Sequence, residues 1–155
     1  MNAIEELRYL ILAAQREGDR ILSTALDPLG LTTSQAEVLR VLYDHEPLSL
    51  IELGERLICE TGSPSRLVNT LVEKNLVERN PSQNDRRMVI LLLTPLGKQT
   101  ASSVKEIEEG FYTQLNSLLQ DTSLDTINTV LWRFVSGRPS GNALTRRKIR
   151  VQRVH

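Results

Sequence analysis

Apolar residues at the start of the chain recur at helical spacing. Ile4, Leu7, Leu10/Ile11, Ala14, Ile21/Leu22 and Ala25 fall three or four apart, which predicts an amphipathic helix to Leu26. Asp27-Pro28-Leu29-Gly30 ends it. Thr32 opens a second helix: its hydroxyl can cap backbone N–H groups while Gln35 reaches back from three residues on. The inner face is Ala36, Val38/Leu39 and Leu42/Tyr43, and the helix ends near His45-Glu46-Pro47. Ser49 with Glu52 repeats the capping box for a short third helix, whose apolar positions are Leu50, Leu53 and Leu57/Ile58. A turn is predicted at Cys59-Glu60-Thr61-Gly62, then a fourth helix with Ser63 as N-cap and Pro64 at the first position, where no N–H is needed. In it Leu67/Val68 and Leu71/Val72 face inward, and Ser65, Arg66, Asn69, Thr70 and Glu73 face outward.

The periodicity then changes. Leu76-Val77-Glu78-Arg79 and Met88-Val89-Ile90-Leu91-Leu92-Leu93 read as two strands of a hairpin over about 76–94, with Asp85, Arg86 and Arg87 near its tip. Thr94-Pro95-x-Gly97 leads into a long amphipathic helix from Pro95 to about Leu119, carrying Ala101, Val104, Ile107, Phe111 and Leu115. Asp121-Thr122-Ser123 caps another, with Leu124, Ile127, Val130/Leu131 and Phe134/Val135. Residues 137–141 break it, and between 143 and 151 apolar residues are too sparse to predict a helix. The order predicts a mainly α fold with a small β-hairpin wing: a winged helix-turn-helix over about 32–98 and a helical dimerisation region over about 3–26 and 95–136. These form one domain, 1–137, followed by a basic tail, 138–155. The first helix and the last two carry apolar stripes outside the compact middle, and burial against a second copy of the chain is the economical solution.

Composition narrows the classes. The chain has 155 residues, about one domain, and no apolar run approaching the roughly 20 residues needed to span a bilayer. The Met-Asn-Ala-Ile-Glu-Glu start lacks the layout of a secretion signal, so a cytoplasmic protein without a membrane partner is expected. Net charge is zero but unevenly spread. Residues 138–155 hold Arg138, Arg146, Arg147, Lys148, Arg150 and Arg153 and no acid, whereas residues 1–137 hold 13 basic and 19 acidic residues. Within 60–98 six basic residues stand against four acidic ones. The helix and hairpin are thus slightly positive on an acidic body, which permits a nucleic-acid partner without requiring one.

Candidate chemistry is concentrated there. Ser63, Ser65, Arg66, Asn69 and Thr70 supply donors and acceptors suited to phosphates and base edges; Arg reads guanine and Asn reads adenine in the major groove. Arg86 and Arg87 suit phosphates or a narrow minor groove, whereas Asp85 cannot favour DNA by charge. The plain alternatives are a solvated polar helix face and a hairpin tip with a weak surface ion pair. Cys59, among Leu57 and Ile58 with no evident cation nearby, reads as a buried structural thiol rather than a redox sensor. Two histidines and one cysteine cannot build a multi-histidine zinc site, and no nucleophile set or phosphate loop suggests catalysis. No enzyme, metal or cofactor is expected. The basic tail divides evenly between a disordered end and a sequence-independent hold on flanking DNA backbone.

Leu31-Thr32-x-x-Gln35-x-x-Val38-Leu39, Leu53-Gly54-Glu55-Arg56-Leu57, Ser65-Arg66-Leu67-Val68, Leu76-Val77-Glu78-Arg79, Asp85-x-Arg87 and Leu93-Thr94-Pro95-x-Gly97, in this order, resemble the MarR family of bacterial and archaeal regulators. The resemblance covers about Leu31 to Gly97. It implies a homodimeric transcriptional regulator, usually a repressor, on a pseudo-palindromic double-stranded DNA operator. It also implies release by a small-molecule effector, frequently phenolic, or by oxidation. In that resemblance the Asp85/Arg87 pair fixes the wing arginine, the thiol of cysteine sensors lies in the first helix (which has none here), and a ligand pocket lies between dimer helices and winged region. Pro64 departs from the usual pattern, as does the basic segment after Gly141. The alternative function is a winged-helix module that binds a protein without sequence-specific DNA contact.

Overall fold

A computed structural model describes residues 1–59, 63–85 and 87–149. Helix α1 spans Ala3–Leu26 and closes in a 3-10 turn at Asp27–Leu29, where Gly30 takes a φ of 64°. Helices α2 (Thr33–His45) and α3 (Leu50–Gly54) each open with the expected capping box, Thr32 with Gln35 and Ser49 with Glu52. Helix α4 (Pro64–Glu73) starts at the proline, and the Ser63 side chain accepts from the Arg66 N–H. Most of the turn placed at residues 59–62 lies outside the described residues. Strands β1 (Val77–Pro81) and β2 (Val89–Leu93) pair antiparallel, with Val77 opposite Leu93 and Pro81 opposite Val89. Helices α5 (Pro95–Leu118), α6 (Leu124–Val135) and α7 (Pro139–Lys148) follow.

The core is built around α2, which packs on α1, α4, α5 and β2. Val38, Leu39 and Leu42 meet Leu53, Val68, Leu71, Val77, Leu91 and Val104, all essentially sealed from solvent. Each such side chain contributes about 1.5–3 kcal/mol relative to exposure. Leu48 exchanges two backbone hydrogen bonds with Leu91, at 2.7 and 3.3 Å, tying the α2–α3 connection to the hairpin. Glu46 accepts from the Leu93 N–H at 2.7 Å and pairs with Lys98 at 3.3 Å.

The Thr94-Pro95-x-Gly97 joint explains itself at atomic level. The Thr94 hydroxyl donates to the Asn75 carbonyl at 2.7 Å and accepts from the Gly97 N–H at 2.9 Å. A Cβ on Gly97 would lie 1.9 Å from the Leu76 carbonyl oxygen, so only glycine lets α5 leave the hairpin this closely.

Two features extend the sequence picture. The segment after Gly137 is not a featureless tail: residues 139–148 form α7, which buries Gly141 and Ala143. It docks through two small residues and two ion pairs, Arg146 with Glu55 and Arg147 with Glu37, rather than an apolar stripe, which is why hydrophobic spacing did not reveal it. Its last turn carries Arg146, Arg147 and Lys148, which complement the helix dipole. Residues 150–155, with Arg150 and Arg153, lie outside the described residues. The stripes of α1 and α6 are uncovered within one protomer. Ile4, Leu7, Leu10, Val130, Leu131 and Phe134 are exposed, and α6 buries no residue. No helix among the described residues is long and apolar enough to cross a membrane.

Candidate nucleic-acid interface

Helix α4 divides as its sequence predicts. Val68 and Leu71 are sealed in the core, and Ser63, Ser65, Arg66 and Asn69 are exposed, with Thr70 half-buried beside them. Pro64 seats the start of this helix against α3: a Cβ on Gly54 would be 3.2 Å from the proline ring. The Ser63 and Ser65 hydroxyls lie 3.0 Å apart at the helix N-terminus, where free N–H groups and the dipole favour an anion. The Thr70 hydroxyl donates to the Arg66 carbonyl at 3.1 Å and keeps acceptor capacity. No partner engages the Arg66 guanidinium among the described residues.

Asn69 is not isolated. Its Oδ1 accepts from a guanidinium nitrogen of Arg79 on β1. Arg79 was absent from the sequence-derived set, though a signal existed: it lies two residues beyond buried Val77 and shares its strand face, toward α4. The contact fixes the orientation of the amide and leaves its NH2 free to donate.

At the wing tip the Asp85 carboxylate accepts from the backbone N–H of Arg87 at 2.9 Å, and the Asp85 carbonyl from the Met88 N–H at 2.9 Å. Asp85 thus shapes the tip through the main chain of Arg87 rather than through its guanidinium. That guanidinium is exposed and unpaired among the described residues. Arg86 lies outside them.

The chain leaving α3 is held from behind, up to Cys59. The N–H groups of Ile58 and Cys59 donate to the two carboxylate oxygens of Glu37, at 2.7 and 2.8 Å. Burial, and then the facing Glu37 carboxylate, push the Cys59 thiol up to about 11, which disfavours the thiolate. Arg147 of α7 acts the other way; it is the cation the local sequence could not show. Among the described residues no group of three or more His, Cys, Asp or Glu could hold a metal.

The MarR family model matches residues 31–89. The multiple antibiotic resistance protein MarR of Escherichia coli is 35% identical over 96 residues, covering 62% of this chain and 67% of that protein. The organic hydroperoxide resistance transcriptional regulator of Bacillus subtilis is 27% identical over 138 residues, covering 77% and 94%. A mutant E. coli MarR solved in complex with operator DNA superposes with a TM-score of 0.68 at 28% identity, covering 86% of this chain and 94% of that one. Together with the helix, hairpin and joint described above, these likenesses establish that the chain belongs to the MarR family of winged-helix transcriptional regulators, which are not enzymes.

Proposed function

We propose that this protein is a sequence-specific repressor that binds a pseudo-palindromic DNA operator as a homodimer. The observation that carries the reading is the pairing of one exposed, hydrogen-bonding face on α4 with a free arginine at the tip of the adjacent hairpin. In this reading α4 enters the major groove, Ser63 and Ser65 meet phosphates, and Arg66 and Asn69 meet base edges. Thr70 borders that face. Arg86 and Arg87 reach the neighbouring backbone or minor groove, and Asp85 holds the tip in shape. The domain division follows: residues 32–98 read DNA, and α1, α5 and α6 pair two protomers, which would cover their exposed stripes. The operator-bound structure of an E. coli relative supports the mode.

In the same reading a small-molecule effector would act on the segment before α4. A cavity of about 580 Å³ lies between α1, α2, the Ile58–Cys59 segment and α7, lined by Gln15, Asp19, Thr33, Ser34 and Ser140. Occupancy there would bear on the chain leading into α4.

The direct test is the salt dependence of binding to duplex DNA. A dimer contacting several phosphates should lose orders of magnitude in affinity between about 50 and 200 mM salt. A flat dependence would instead favour the protein-binding module, whose contacts release few counterions.

A further inference from the structure

The basic segment is engaged by its own protomer. Arg147 in the last turn of α7 donates from Nε to the Arg56 carbonyl at 2.6 Å and from Nη2 to the Glu37 carboxylate. That same carboxylate accepts the Ile58 and Cys59 N–H groups. Arg146 pairs with Glu55 at 3.3 Å. Two of the arginines expected to hold DNA are therefore committed to the chain between α3 and α4. Arg147 and Glu37 are both partly buried, with side-chain exposures of 29% and 16%, so the contact is less screened by salt than a fully exposed pair.

We propose that α7 is a strap that positions the reading helix: Arg147, acting through Glu37 and the Arg56–Cys59 backbone, sets where α4 presents its outer face. Substituting Arg147 deletes none of the side chains on the outer face of α4. What it removes is half of a fork that ties three elements together: α2 through Glu37, α7 through its own backbone, and the chain that launches α4. Glu37 would keep its two amide bonds but lose its counter-ion and become a partly buried uncompensated charge. The Arg56 carbonyl would lose its donor. Lysine cannot replace the arginine, because one ammonium cannot match the planar fork that serves carbonyl and carboxylate together. The inference rests on the DNA-binding reading for its consequence but not for its local geometry.

The experiment uses the full chain with Arg147→Ala, Arg147→Lys and Glu37→Gln, and Arg87→Ala as the comparison. Amide hydrogen exchange of Ile58 and Cys59 is followed by NMR, and operator affinity is measured on the DNA that the wild type selects. Loss of charge-assisted hydrogen bonds should speed exchange at these two amides by about tenfold to a hundredfold. Amides in the middle of α2 should be unchanged, and operator affinity should fall by about tenfold or more. Arg147→Lys should fall between wild type and alanine, and should serve alone if the alanine variant does not fold. Arg87→Ala should weaken DNA binding without altering the two amides. Unchanged exchange, or faster exchange with unaltered operator affinity, would overturn the strap. If the wild type selects no DNA, the functional reading fails, while the exchange arm still decides whether Arg147 holds the chain before α4.

Discussion

Arg87 and Asn69 make different claims, and single substitutions separate them. Arg87→Ala removes an exposed, unpaired guanidinium from the wing tip, so thermal stability should change by less than about 0.5 kcal/mol. Operator affinity should fall, and the slope of log affinity against log salt should shrink by about 0.9 for each lost phosphate contact. An unchanged affinity at moderate salt would remove the wing from the interface. Asn69→Ala should shift base preference at one position by about 1–3 kcal/mol if the amide meets a base edge. Because Arg79 orients that amide, Arg79→Ala should blur the same position. Selection of an identical operator by both variants would move the base contact to Arg66 or Ser65.

At the scale of elements, capping residues and joints were legible because their partners are three residues away. Thr32 with Gln35, Ser49 with Glu52, and Ser63 before Pro64 all act within one helical turn. The Thr94-to-Gly97 motif was equally plain, although its reason was not: the obstacle to a side chain at Gly97 is the backbone of Leu76, brought there by the fold. Gly97→Ala should therefore destabilise by about 3 kcal/mol or more, measured by denaturant unfolding, far beyond the cost of an ordinary surface change. A loss under about 1 kcal/mol would show that β1 and α5 can separate cheaply. What stayed hidden were pairs that only folding brings together. Asn69 meets Arg79 across the α4–β1 seam, and Glu37 meets Arg147 from 110 residues away. Helix α7 escaped because its hold on the body is ionic and small-residue, which leaves no periodic apolar signal.

The molecule as a whole shows an uncovered apolar surface and a buried titratable cluster, and both have measurable consequences. His45, the last residue of α2, is buried; burial first, then Arg56, hold its ring below the ordinary value of 6.5, while Asp44 opposes this and Arg147 acts both ways, its charge lowering the value and its backbone hydrogen bond raising it. A base with a lowered folded pKa contributes stability above its unfolded value and loses it as pH falls toward the folded one. Glu108 runs opposite: burial raises its carboxyl, and Arg40 at 2.9 Å works against that, so its cost is relieved on acidification. The stability difference between wild type and His45→Asn should therefore shrink as pH falls from 7.5 through 6.5 and below, and a constant difference would show that the ring does not titrate there. The exposed faces of α1 and α6 bear on the central claim, that two copies present two α4 helices to one operator. Selection of bound sequences from random duplex DNA tests it most directly. The predicted result is a pseudo-palindrome with half-sites about one helical turn, roughly 10–10.5 bp, apart. Recovery of no preferred sequence, or of a single unrepeated half-site, would contradict it.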